Sequence, residues 1–239
     1  MLRRIADLRG KSSRNYCAVY SDFLTPAQQA LIASVNEFYG LVSFTGGYED
    51  AERRVCRISC SEYDSDIGAP VVLFSVSAAS KDALLGHRDV LGSLMGLGIK
   101  RGMIGDILPN GRSPQFFCLE QSAEFIEFNL KKIGQYNVTL TRADTALILP
   151  PEYSEFSINV SSMRLDCICA ECFGISRTKA ADQIKHGSVS LNWLAVTDPS
   201  HEVKPADKIS LLGRGKIEIS EITGTSKKGR LFVKVRKRI

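Results

Sequence analysis

The sequence predicts an α+β fold divided into three small units, residues 1–70, 71–160 and 161–239. Three observations predict it. Helical periodicity and strand alternation replace each other repeatedly along 239 residues, a length that suits two or three small cores. The polar stretch 64–70 reads as a linker. Charge is unevenly shared: residues 161–239 carry 15 Lys and Arg against 8 Asp and Glu, whereas residues 1–160 carry 16 against 18. The last unit is therefore the basic one.

In the first unit, Thr25-Pro26 reads as an N-cap followed by proline at the first helical position. The helix it opens, TPAQQALIASVNEFYG, ends at Gly40. Residues 41–44 read as a strand, Gly46-Gly47 as a turn, residues 48–54 as a short charged helix, and residues 55–60 as an alternating strand. In the second unit VVLFSVSA, from Val71, is an apolar strand, and residues 81–97 read as a helix followed by the turn GIKRG. FFCLE is a second strand. Ser122 is expected to cap the helix SAEFIEFNLKKIG, whose acids lie early and whose lysines lie late, as the helix dipole favours. YNVTLTRAD is a third strand. That order predicts a ferredoxin-like, RNA-recognition-like α/β sandwich. The aromatic-rich K/R-G-F-G-F strand is missing, so base stacking on this sheet is not expected.

The third unit begins with Met163 to Trp193, MRLDCICAECFGISRTKAADQIKHGSVSLNW. Leu165, Ile168, Cys169 and Cys172 mark one helical face, and Gly174 stops the helix. Ser176 sits at an N-cap position. Arg177, Lys179 and Lys185 line the next helix, whose small apolar side is Ala180, Ala181 and Ile184. Gly187 ends it. Val189, Leu191 and Trp193 then alternate with Ser190 and Asn192 as in a half-buried strand. Lys227, Lys228, Arg230, Lys234, Arg236, Lys237 and Arg238 crowd the tail, where the interleaved Leu231, Phe232, Val233 and Val235 suit a terminal strand with a basic rim. A helix pair with a basic outer face suits phosphate binding.

This unit resembles the alpha-L RNA-binding domain named after small-subunit ribosomal protein four. The matching residues are Arg164-Leu165-Asp166, Ser176 to Ala180, Gly187, Val189 with Asn192, Asp198-Pro199, and the run from Val203 to Ile209. The resemblance implies RNA contacts at Arg164, Ser176, Arg177, Lys179 and Lys185. The basic tail adds Lys227, Lys228 and Arg230. A second signature, HRDVLGSLMGLGIKRGMIGDIL from His87, joins FLTP at Phe23 and GGYEDAERR at Gly46. Together these resemble the YlmH family of bacterial RNA-binding proteins across nearly the whole chain. That resemblance implies a cytoplasmic, non-enzymatic factor that binds the large ribosomal subunit and tRNA-obstructed ribosomes, with rRNA or tRNA and not DNA as its ligand. It also connects the protein with rescue of stalled translation and, by gene neighbourhood, with cell division. His87, Arg88, Lys100 and Arg101 form a second expected contact surface.

Other classes fit poorly. No apolar run reaches the roughly 18–20 residues of a membrane span, and no signal peptide opens the chain. Seven cysteines without disulfide-scaffold spacing suit a reducing compartment. Cys167, Cys169 and Cys172 lie within a helix, and Cys56 and Cys60 on one face of a strand, so core packing is expected and no metal. No cofactor is expected either: Gly96-x-Gly98 follows a helix instead of a strand and fails the dinucleotide pattern. His87-Arg88-Asp89 has Leu94 where a kinase loop needs Asn. The enzymatic alternative is a pseudouridine synthase using Arg164-Leu165-Asp166, but CICAEC follows where an exposing turn is needed. Asp166 is read instead as a helix-dipole residue. A cell-division adaptor is the non-enzymatic alternative.

Overall fold

A computed structural model describes residues 1–35, 38, 40–59, 68–80, 82–148, 153–227 and 229–238. The chain divides into two compact units, residues 1–149 and 150–239.

The first unit holds two sheets. α1 (Leu2–Asn15) precedes β1 (Val19–Leu24), α2 (Pro26–Ala33), β2 (Val42–Thr45) and β3 (Arg54–Ile58). The three strands form an antiparallel sheet in the order β1-β3-β2. Thr25 caps α2 as expected: its hydroxyl accepts from Gln28 N–H, and the Gln28 side chain accepts from Thr25 N–H at 2.9 Å. α2 stops at Ala33, short of Gly40, because the Ser34 hydroxyl bonds back to Leu31 O and competes with the helix. Phe38 then turns onto the core of Ile5, Leu24, Ile32, Cys56 and Ile58.

The second sheet follows the ferredoxin-like order. β4 (Val71–Ala78), α3 (His87–Gly96), β5 (Ile104–Leu108), β6 (Gln115–Leu119), α4 (Glu120–Asn129), β7 (Lys132–Ile133) and β8 (Tyr136–Ala143) come in sequence. The sheet runs β5-β6-β4-β8-β7, antiparallel throughout. β5, which the sequence reading leaves unassigned, completes the strand-helix-strand-strand-helix-strand pattern. Val72, Phe74 and Val76 alternate with Leu73 along β4. The former join Phe116, Val90, Leu94 and Ile126 beneath the helices. Leu73, Phe117 and Leu119 face the other way and pack on Phe23 and Val55 of the first sheet. The two sheets therefore share a core. Gly47 permits the contact: it adopts φ +95, and a Cβ there would meet the Phe117 ring at 2.4 Å.

Three local expectations change. Residues 48–53 form no helix, because Glu52 and Arg53 give their N–H groups to the Asp106 carboxylate at 2.6 and 3.0 Å. α3 starts at His87, where Asp89 accepts from Gly86 N–H at 2.9 Å; Lys81, the expected start, lies outside the described residues. α4 starts at Glu120, and Ser122 sits within its first turn, donating to Leu119 O.

The second unit carries β9 (Tyr153–Val160), α5 (Leu165–Phe173), α6 (Arg177–Lys185), β10 (Val189–Leu191), β11 (Leu194–Ala195), β12 (Lys208–Leu211), β13 (Gly215–Thr225) and β14 (Leu231–Arg238). One antiparallel sheet runs β11-β10-β12-β13-β14-β9. Its apolar face and the two helices enclose Leu165, Ile168, Cys169, Ala180, Ile184, Val233 and Val235. The expected boundaries at 70/71 and 160/161 differ from this division. The first two expected units share a core, and β9 pairs along its length with β14, which draws residues 153–160 into the second unit.

Candidate nucleic-acid interface

Two of the expected RNA-contacting residues of the second unit, Arg164 and Arg177, meet at one carboxylate. Asp166, in the first turn of α5, is 4% exposed. It accepts a two-pronged hydrogen bond from Arg164, Nε to Oδ1 and Nη2 to Oδ2, each 3.1 Å. Arg177, first residue of α6, donates Nε to Oδ2 at 3.0 Å. Burial alone would raise the Asp166 carboxyl, but the hydrogen bonds from Arg164 and Arg177 outweigh it and hold it below the usual carboxylate range. Asp166 thus fastens the start of one helix to the start of the next. The dipole role expected of it is secondary to this clamp. Both arginines remain about half exposed. Among the described residues, Nη1 of Arg164 and both terminal nitrogens of Arg177 make no hydrogen bond. Two fixed guanidiniums thus keep outward donors, a geometry suited to phosphate oxygens.

Ser176 caps α6 as expected, its hydroxyl accepting from Lys179 N–H at 3.2 Å. That bond engages the hydroxyl in the fold. Lys179 and Lys185 are exposed along α6. At the foot of α5, Arg214 donates to Phe173 O at 3.0 Å and satisfies a C-terminal carbonyl. Nothing in the sequence around Arg214 signals that role, because the partner is 41 residues away.

The tail forms the expected strand, but much of its charge is already engaged. Lys234 and Arg236 both reach Glu155 on β9, at 2.9 and 2.7 Å. Those two hydrogen bonds hold Glu155 below the usual carboxylate range. Arg230 donates to the side chain and carbonyl of Asn159 and lies 3.7 Å from Glu171 of α5. It ties the β13–β14 turn to the body of the unit. Lys227 stands exposed in that turn, and Lys228 lies outside the described residues.

The β10–β11 connection is a two-residue turn in which Asn192 (φ 48) and Trp193 (φ 66) both take left-handed backbone. Such turns favour Asn-Gly. Asn192 suits its place, whereas a tryptophan there costs about 1–2 kcal/mol. The expected strand thus ends at Leu191, and Trp193 leaves its pattern. The ring is 38% exposed, and Lys208 Nζ lies 5.3 Å from its centroid.

The second expected surface lies in the first unit. His87 and Arg88 are exposed at the start of α3. Gly98 (φ +81) turns the chain after that helix and leads to exposed Lys100. Arg101 is less available, since Nη1 donates to Ile104 O at 2.6 Å and Gly105 O at 3.3 Å. Desolvation, then the Arg101 charge, hold His87 below its ordinary pKa and leave it neutral at pH 7. Beside them lies a network the sequence reading misses. Asp106 accepts from Tyr48 hydroxyl at 2.9 Å and from the two backbone N–H groups of Glu52 and Arg53. Arg53 donates to the carbonyls of Phe23, Arg101 and Ile104. Burial, then repulsion by Arg101, pull Arg53 down to about 10 against the opposing pull of Asp106, so it stays charged. The motifs GGYEDAERR and GIKRGMIGDIL are two halves of this lock. Their co-occurrence was the available signal; their contact was not.

Among the described residues, no group of three His, Cys, Asp or Glu side chains is placed to hold a metal. Burial pushes the thiols of Cys56, Cys118, Cys169 and Cys172 up to about 12, as for core residues. Among the described residues no helix is long and apolar enough to cross a membrane.

Comparison with known proteins agrees with this geometry. Residues 68–146 match the family described as "Putative RNA-binding domain in YlmH", and residues 163–209 match the S4 domain. The chain is 34% identical over 216 residues to the ribosome-associated protein quality control protein P2 of Bacillus subtilis, covering 87% of this chain and 82% of that one. It is 30% identical over 87 residues to small ribosomal subunit protein uS4 of Thiobacillus denitrificans, covering 36% and 40%. A solved structure of the cell division protein ylmH from Streptococcus pneumoniae superposes with a TM-score of 0.50 at 23% identity, covering 59% of this chain and 88% of that one, and speaks for the fold. With a sandwich of the one type followed by a clamped helical hairpin of the other, this chain belongs to the YlmH family of RNA-binding proteins.

Proposed function

We propose that this protein is a non-catalytic, cytoplasmic RNA-binding factor that docks on the ribosome, on a large subunit carrying a tRNA, during rescue of stalled translation. The observation that carries the reading is the Asp166 clamp. It holds Arg164 and Arg177 with outward N–H groups beside exposed Lys179 and Lys185. Phosphate contacts of this kind give affinity and register but little choice of sequence. The Bacillus subtilis relative, similar over most of both chains, carries ribosome association and quality control in its name, which supports the choice of the ribosome. The clamp also speaks against a pseudouridine-synthase reading. A nucleophilic Asp166 would need an open face, and its carboxylate is buried beneath two guanidiniums.

The test is sedimentation of the tagged full-length protein through sucrose gradients of lysate, with stalled complexes supplied. Co-migration with large subunits at moderate salt and release at high salt are expected. Protein found only in the top fractions at low salt would refute the reading.

A further inference from the structure

We propose that the Asn192-Trp193 turn, with Lys208 behind it, is a stacking site for an unpaired RNA base. The inference rests on the RNA-binding reading above and adds a base-contacting element to the phosphate grip. Three observations converge on it.

The first is where the backbone is forced. Among the described residues, four non-glycine residues take positive φ: Tyr16, Asn192, Trp193 and Ala206. Three of the four meet at this turn and the adjoining loop. Strain of this kind persists only where neighbours over-determine it, and it concentrates at functional sites. A glycine at 193 would relieve it and remove the ring.

The second is how firmly the turn is held. Asn192 Nδ2 donates to Asp207 Oδ1 at 2.8 Å, and Asn192 Oδ1 accepts from Lys208 N–H at 3.0 Å. Asn192 N–H donates to Lys208 O at 2.8 Å, and the second Asp207 oxygen accepts from Lys204 N–H at 2.7 Å. Side chain and backbone of Asn192 are both committed, so the indole stands on a fixed base.

The third is that the ring takes no part in the core. Leu191 and Ile209, its strand neighbours, lie within the apolar cluster, while Trp193 lies outside it. It is exposed, with the Lys208 ammonium over one face of the ring. An aromatic surface with an adjacent cation is the pairing that receives a base and its phosphate.

Position supports the assignment. Arg164 pairs with Glu202, and Val203 N–H donates to Met163 O at 2.8 Å. The chain therefore leaves the clamp at Glu202 and reaches Lys204, at the base of the turn, two residues later, about 7 Å of extended chain. The ligand class is a base in a loop, a bulge or a single-stranded end, because an A-form duplex keeps its bases within the stack.

Trp193 is the chain's sole tryptophan, so emission excited beyond the tyrosine absorption band reports this site alone. The probes are an RNA hairpin with a loop of unpaired adenines and a blunt RNA duplex with the same number of phosphates. Both are titrated into the full-length protein. Both are expected to bind, and only the hairpin to quench the tryptophan. By anisotropy of labelled RNA, Trp193→Gly should lose roughly 5- to 150-fold in hairpin affinity while keeping its duplex affinity and salt slope. Trp193→Phe should restore most of the hairpin preference, which a merely structural role for the indole would not require. The glycine variant should melt no lower than wild type, since it relaxes the turn. Equal binding of both RNAs by wild type and Trp193→Gly would overturn this inference and leave the phosphate grip standing. Failure of the wild type to bind either RNA would overturn both.

Discussion

Replacing Asp166 by Asn tests whether the helical hairpin is held by charge. The change keeps the shape of the side chain and removes its charge. Three charge-assisted hydrogen bonds converge on the carboxylate. Bonds to charged groups contribute about 1.5–3 kcal/mol each when buried. Here the arginine side chains are 40% and 54% exposed and regain water once released. Solvent screening reduces the total accordingly, to about 2–3 kcal/mol. For a unit of this size that lowers the melting midpoint by roughly 10–20 °C. The assay is tryptophan emission against temperature, since Trp193 reports the second unit. Acid gives an independent readout. The folded Asp166 pKa is depressed, so its contribution is fully present above the unfolded value of about 3.9 and is lost as pH falls through the folded value. The gap between wild type and Asp166→Asn should be constant from pH 5 to pH 8 and close below about pH 4. Other carboxylates titrate there too, but they are common to both proteins and cancel in the difference. A midpoint within about 2 °C of wild type at pH 7, or a gap unchanged at pH 3, would refute the clamp.

Lys179→Ala should weaken RNA binding and flatten the log–log salt dependence by roughly 0.7–0.9 while leaving the melting curve unchanged, as measured by titration at four salt concentrations. Arg177→Ala should do the same but also lose about 1 kcal/mol of stability, since it strips one partner from Asp166, with chemical denaturation as the check. Gly47→Ala should destabilise the first unit by about 3 kcal/mol or more, because it combines an unfavourable φ with a clash against Phe117. A near-native unfolding curve would contradict that packing. Cys169 and Cys172, pushed up to about 12, should resist alkylation at pH 8 until the second unit is unfolded, as followed by mass spectrometry.

Local rules carried far in this chain. Thr25-Pro26, Ser176 and Gly174 each act where capping chemistry puts them, because caps are settled by neighbours within a few residues. The helical hairpin was legible for the same reason. The failures share the opposite property. Residues 48–53 have the composition of a charged helix, yet Asp106, more than 50 residues on, takes the N–H groups such a helix would use. The tail cations appeared unopposed because Glu155 lies 81 residues from Arg236. Arg230, expected at the RNA, also holds Asn159, 71 residues away, a tie the sequence does not signal. In each case the chain's own charge count was right, and the partner was a long-range one that no window of sequence contains. Trp193 failed differently: alternation placed it in a strand, whereas the preceding asparagine and the pairing of Leu191 with Leu194 demand a turn.

The covered sheet of the first unit bears on where RNA can be read. In an RNA-recognition sandwich, bases stack on the sheet face opposite the helices. Here Leu73, Phe117 and Leu119 occupy that face of β4 and β6, and Phe23, Tyr48 and Val55 lie upon them. The Tyr48 and Phe117 rings stack at 5.4 Å, so the aromatic surface a base would use is already taken from within the chain. A stacked base contributes about 1–3 kcal/mol. Exposing two or three buried apolar side chains costs about 1.5–3 kcal/mol each. Opening the face would also break the Asp106 hydrogen bonds that fasten the first sheet's loop. The exchange is unfavourable, and the sandwich is therefore a closed body whose exposed cations include Arg88, at the start of α3, and Lys100, after the Gly98 turn. Base contact through an aromatic ring falls instead to the second unit, where the exposed Trp193 stands on the turn that follows the helical hairpin.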